Sequence, residues 1–254
     1  SFDSNGFTVD ANSYIGTNAS GKTFVSWNWK AGGTPSINTD GTITSIVSAN
    51  QAAGFSIVKY TGNNTAGATV AHGMDAVPEL IIWKVLTSVS GWKVYCNQFT
   101  SPTTQIMELQ DTGGVSTNTV FINGTAPSTS LITLGAYGDT NASGQDIVTY
   151  CFTSISGYSK VGTYSGTASA NSITTGFEPG FIMIKRTDTT GTWVIMDSAR
   201  GMGSNAYALF PNTTASESNG WNTAFTATGF TISSAEAWIN ASGGTYIYLA
   251  IKEN

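Results

Sequence analysis

With 10 Lys and Arg against 15 Asp and Glu, the 254-residue chain carries formal charge at only 10% of its positions and a net charge of −5 at pH 7, where an average soluble domain has about 25% charged residues. Gly 29 and Pro 6, with Ser, Thr and Asn at most polar positions, are material for short strands and turns and argue against a helical bundle or coiled coil, which needs Glu, Lys, Gln and Leu. The acidic balance argues against a phosphate-tracking surface and so against nucleic acid as a partner, and neither a run of ~18 apolar residues nor a basic-then-apolar leader is present to suggest membrane insertion or a signal peptide.

A repeat sets the order of the elements. Asn18-Ala19-Ser20-Gly21 opens a segment in which Val25, Trp27 and Trp29 alternate with smaller or polar residues. The same tetrad returns at Asn141-Ala142-Ser143-Gly144 before Val148, Tyr150 and Phe152, and at Asn240-Ala241-Ser242-Gly243 before Ile247, Leu249 and Ile251. Period two predicts a half-buried strand after each tetrad. Residues 1–35 therefore read as the closing half of a unit plus a linker from Ala31 to Pro35. Gly6-Phe7-Thr8-Val9, echoed by Gly229-Phe230-Thr231-Ile232 shortly before the last tetrad, belongs to that half. A start at Ser1-Phe2-Asp3 without Met reads as a processed or excised piece, its opening half cut away or its strands paired with something else.

Two full units follow, at 36–155 and 156–254. Each opens on Tyr60-Thr61-Gly62 or Tyr164-Ser165-Gly166. Each continues through a Pro-led run, Pro78-Glu79-Leu80-Ile81-Ile82-Trp83-Lys84 or Pro179-Gly180-Phe181-Ile182-Met183-Ile184-Lys185, and then a Trp strand at Trp92 or Trp193; Pro78 and Pro179, like Trp92 and Trp193, stand 101 residues apart. The Pro-led runs are apolar on both faces, as central strands covered on both sides are. Strands at short spacing with turn chemistry between them predict an all-β chain of two tandem antiparallel β-sandwich-like units plus the N-terminal half-unit.

The tetrad before an aromatic strand ending Trp27-Asn28-Trp29-Lys30, the Pro78-Glu79-Leu80-Ile81-Ile82 strand and the Gly157-Tyr158-Ser159-Lys160-Val161-Gly162-Thr163-Tyr164 junction together resemble a repeat of virion-associated, tail-fibre-like proteins of tailed bacteriophages, marine and cyanobacterial phages among them. The resemblance covers nearly the whole chain. It implies a virion structural or adsorption protein on the particle surface, with other virion proteins as partners, and it supplies no catalytic residues.

Residue chemistry points the same way. His72 beside Asp75 invites a His-Asp pair, yet the second unit has Ser172-Ile173-Thr174-Thr175 in that place, so core packing is the expectation. One His and two separated cysteines, Cys96 and Cys151, make no zinc set, and the cysteines are expected as buried thiols. No GxSxG, HExxH or P-loop motif occurs. Asp111, Asp139, Asp146, Asp188, Asp197, Glu178, Glu217 and Glu236 are scattered, where glycoside hydrolysis needs two carboxylates across one cleft; Asp111 and Asp139 read as Asx turns rather than calcium ligands. The expectation is no enzyme, no cofactor and no metal. The sequons at Asn18, Asn141, Asn212 and Asn240 read as turn chemistry.

Aromatic residues separate by the repeat. Trp27, Trp29, Trp83, Trp92 and Trp193 hold strand positions and are expected in cores. Trp221, in Ser218-Asn219-Gly220-Trp221-Asn222, and Trp238, where the other copies have Gly16 and Asp139, are not demanded by the unit; both are candidate contacts with a host-surface glycan or a partner chain. The first functional expectation is a non-enzymatic virion protein, a tail-fibre or surface-appendage component in assembly or host attachment, oligomeric to cover its sheet edges and with a trimer as the guess. Alternatives are a carbohydrate-binding module or adhesin, and a head-decoration protein.

Overall fold

The two Pro-led runs lie inside two antiparallel sheets, since strands apolar on both faces are stable only where both faces are covered. The computed structural model describes residues 2–3, 5–9 and 17–253. A hairpin of β1 (Phe2–Asp3) and β2 (Gly6–Phe7) is followed by β3 (Ser36–Asn38), β4 (Ser45–Asn50), β5 (Phe55–Thr61), β6 (Ala68–Ala71), β7 (Leu80–Val85), β8 (Lys93–Cys96), β9 (Gln105–Glu108), β10 (Ser116–Thr117), β11 (Leu131–Leu134), the one-turn α1 (Gly138–Asn141) and β12 (Asp146–Phe152). The second unit comprises β13 (Ser159–Ser165), β14 (Asn171–Thr174), β15 (Pro179–Arg186), β16 (Trp193–Asp197), β17 (Thr223–Thr226), β18 (Gly229–Ile232), the one-turn α2 (Ala237–Asn240) and β19 (Thr245–Lys252).

The first unit forms an eight-stranded sheet in the order β10-β9-β8-β7-β12-β5-β4-β3, with β6 and β11 paired in a separate layer; the second forms β13-β19-β15-β16 with a layer of β14-β18-β17. The closing strand lies between the opening and Pro-led strands in both units, β12 between β5 and β7 and β19 between β13 and β15. This is an all-β, sandwich-like architecture.

Three cores separate four layers. Trp83, Ile81, Val85 and Ile147 pack under the β6/β11 layer with Ile132 and Leu134, and Ile182, Ile184, Val194 and Tyr246 pack under the β14-β18-β17 layer with Phe230 and Ile232. Between the two large sheets Leu80, Ile82, Val94 and Phe152 meet Phe181, Met183, Ile195 and Ile251. These residues occupy matching repeat positions, so each unit offers the other the same face. As a result β12 and β19 are covered on both sides, not half-buried as alternation alone suggested.

The Tyr-Thr/Ser-Gly and Asn-Ala-Ser-Gly motifs recur together in the two full units for a local reason: they form one clamp in each. Tyr60 Oη donates to Thr140 O at 2.5 Å and Tyr164 Oη to Ile239 O at 2.6 Å. The tetrad asparagines of the two full units, Asn141 and Asn240, are fully buried. Asn141 Oδ1 accepts from Asn63 N–H and its Nδ2 donates to Thr65 O and Gly135 O; Asn240 repeats this with Thr167 N–H, Ser169 O and Ser234 O. Glycine is required at 62 and 166 because a Cβ there would stand 2.3 Å from Ala142 O and 2.1 Å from Ala241 O. Backbone bonds Gly144 N–H to Gly62 O and Gly243 N–H to Gly166 O complete the closure.

The N-terminal copy behaves differently. Residues 22–31 form no strand; within the described residues the expected β-strand is a segment without a ladder, because no neighbouring strand flanks it. Its apolar alternation is still used. Trp29 packs edge-on to Phe152 of one unit and Phe181 of the other, and Trp27 packs on Phe181, so the segment straps the end of the shared core. Gly16 and the rest of 10–16 lie outside the described residues.

Candidate functional site

The ionisable groups are mostly engaged in structure. His72 is fully buried, its Nε2 3.2 Å from Ser128 O, while Met74 N–H donates to Nδ1 at 3.3 Å; burial lowers its pKa and keeps it neutral. Asp75 does not bond to it and accepts from Gln51 Nε2 at 2.7 Å. Asp111 caps its own turn through Thr112 and Gly113 N–H, as an Asx turn does. Asp139 corrects the Asx-turn expectation: it lies 3.2 Å from Lys93 Nζ, which also bonds Glu108. Burial alone would lower the Lys93 pKa, but these two carboxylates outweigh it and hold it above the ordinary lysine value. Asp197 accepts from Arg200 Nε at 2.7 Å and from Trp27 Nε1 at 3.0 Å. Among the described residues no three His, Cys, Asp or Glu gather where a metal would sit. Cys96 and Cys151 are free and buried, in different cores on opposite faces of the eight-stranded sheet.

Of the two unshared tryptophans, Trp221 contradicts its reading as an exposed loop contact. It is only 6% exposed, within the core of the second unit. The polar loop folds back so that Trp221 Nε1 donates to Ser218 Oγ at 2.7 Å and Trp221 N–H to Ala206 O. Trp238, on α2, is 41% exposed. The structure brings the pair together: their rings stack with centroids 5.8 Å apart at 28°, and Phe210, which the sequence did not single out, meets both, at 5.4 Å from Trp221 and 5.8 Å from Trp238. The result is a three-ring cluster with a buried base and an exposed top. Beside that top lies an open cavity of about 360 Å³ lined by Thr112, Thr190, Gly191, Thr192, Phe210 and Trp238, among others.

A family model described as a domain of unknown function, DUF7483, matches residues 1–254. The chain belongs to this family. Comparison with curated proteins and with solved structures finds no match.

In the DUF7483 chain the cavity lies where the two units are sewn together. Gly191 N–H donates to Thr112 O and Val115 N–H to Thr187 O, joining the loop after β9 to the hairpin between β15 and β16. Beneath it Lys185, fully buried, donates to Gly191 O at 2.5 Å and Thr112 O at 2.9 Å. Burial, only partly offset by the Asp111 carboxylate, brings its pKa down to about 8. The repeat hinted at this residue, since Lys84 at the matching position donates to Ser90 O at 2.8 Å, but the second carbonyl comes from the other unit.

Proposed function

We propose that this DUF7483 chain is a non-enzymatic structural protein of a bacteriophage virion, a tail-fibre or surface-appendage component in assembly or host attachment. The observation that carries the reading is the shared core: two repeated units bury the same face against each other, strapped at one end by Trp27 and Trp29, which makes one stiff, charge-poor block from a duplicated sequence. The carboxylates at Asp139, Asp146, Asp188 and Asp197 serve as ion-pair partners of Lys93, Lys59, Arg186 and Arg200, a structural use of those groups. Oligomerisation is supported by an edge: β5 is covered by β4, whereas β13, at the matching place in the second unit, ends its sheet. An exposed edge invites pairing with another chain, and a trimer is the expected form.

Gold-labelled antibody against the chain, applied to purified phage particles, tests the location; label on an appendage is expected, and particles free of label overturn the reading. Light scattering on the purified chain tests assembly, with three times the 26.5 kDa chain mass expected.

A further inference from the structure

We propose that the cavity beside Trp238 binds one ring of an uncharged oligosaccharide, with the indole as its stacking platform. A pyranose offers a face of C–H groups to an aromatic ring and a rim of hydroxyls to polar groups, and the site supplies both. The platform is fixed before any ligand arrives. Trp221 stacks beneath Trp238 and Phe210 abuts it at 79°, while the backbone of α2 is held where Tyr246 Oη at 2.8 Å and Arg186 Nη1 at 3.2 Å both donate to Ala237 O. Such preorganisation removes part of the entropic cost of binding.

The rest of the cavity suits a neutral, hydroxylated ligand. Its lining has no formally charged side chain and includes four threonines, Thr112, Thr190, Thr192 and Thr213. Behind Thr192 and Thr213 the amide of Asn212 is oriented by accepting at Oδ1 from Thr192 Oγ1 at 2.6 Å and from Trp193 N–H at 3.0 Å, which leaves its buried Nδ2 without an acceptor in the protein. Glycine at 191 leaves the Trp238 ring edge uncovered, where a Cβ would touch Cδ1 at 3.6 Å, an ordinary contact, and crowd Arg186 Cβ at 3.2 Å. A volume of about 360 Å³ falls in the range of small-ligand sites, about 300–1,000 Å³. The matching position in the first unit is Asp139, tied to Lys93, so closure of the sandwich does not call for a tryptophan here.

This inference deepens the host-attachment arm of the proposed function and rests on it. The test is a tryptophan-fluorescence and saturation-transfer titration of the full chain with chitotriose, maltotriose and galactotriose as neutral probes and trigalacturonate as a charged one. A saturable response to at least one neutral probe is expected, weakened at least about tenfold in Trp238→Ala, a loss of roughly 1.4 kcal/mol, and unchanged in Trp92→Phe. Thr190→Glu, which places a charge on the exposed rim without touching a core, is expected to weaken binding as well and serves if Trp238→Ala fails to fold. Absence of saturation with all three neutral probes overturns the site, as does binding that survives both variants, or tighter binding of trigalacturonate. Labelled particles without sugar binding overturn this inference alone; sugar binding by a chain absent from particles overturns the virion reading alone.

Discussion

The two units agree in the clamp that closes each sandwich and disagree at the rim beside the Trp strand. In the first unit Lys93 stands between Glu108 and Asp139; in the second, Val194 and Trp238 hold the matching places and three aromatic rings replace the ions. Trp92 is half-buried, stacked on Tyr150 at 6.4 Å, while its counterpart Trp193 is 1% exposed and its Nε1 donates to Glu108 O at 2.9 Å, across the unit boundary. The two copies thus share what closes a sandwich and the face they bury against each other, and differ at the rim beside the Trp strand. The second unit has turned its rim partly inward, onto the first.

The comparison breaks or sharpens under substitution. Trp193→Ala is expected to destabilise by about 3–5 kcal/mol, as removal of a core aromatic does, whereas Trp92→Ala is expected to lose only about 1–2 kcal/mol because half its surface is already solvated; equal losses in urea unfolding would contradict the asymmetry. Asn141→Ala and Asn240→Ala should each lose about 2–3 kcal/mol, since each strands buried backbone groups that the amide satisfies. A marked inequality between those two would show that the clamps are not equivalent.

Lys185 gives a prediction in pH. The folded chain releases this proton near pH 8 and the unfolded chain near the ordinary 10.5, so in that window the unfolded state binds more protons and stability rises with pH. Lys185→Met should flatten the rise in melting temperature between pH 8 and 9.5, while Lys84→Met leaves it. His72 acts at the other end: its lowered pKa means stability is lost as pH falls below the ordinary histidine value of 6.5, and His72→Gln should blunt that loss. Trp238→Ala is the smallest change, at most about 1 kcal/mol for a ring already partly in water; a larger loss would make Trp238 a packing residue first.

Local patterns carried much of this architecture. Alternation placed Val148, Tyr150 and Phe152, and Ile247, Leu249 and Ile251, on one side of their strands, and all of these but Val148 belong to or pack against the shared core. It did not reveal that the intervening residues, such as Tyr246 and Tyr248, are buried on the other side by the second layer. For Val25, Trp27 and Trp29 the pattern identified the apolar side but not the absence of a ladder, because a ladder needs a neighbour that periodicity does not report. Trp221 was misjudged because polar composition in Ser218-Asn219-Gly220 describes the loop and not its return to Ala206. Lys185 was hidden for a related reason: its partner Thr112 belongs to the other unit. Phe210 completes the ring cluster from a segment with no repeat signal at all.

A face that buries itself against its own copy closes after two units. Leu80 meeting the counterpart set of Phe181, Met183 and Ile195 is self-recognition of the kind that gives closed pairs rather than open stacks. Any array built from this repeat therefore counts in twos: an even number of units satisfies every such face within one chain, and an odd one must be matched by an odd one elsewhere. Parity of the repeat thus decides whether this face is satisfied within one chain, and it leaves any oligomer of this two-unit chain to form through other surfaces, such as the open edge of β13.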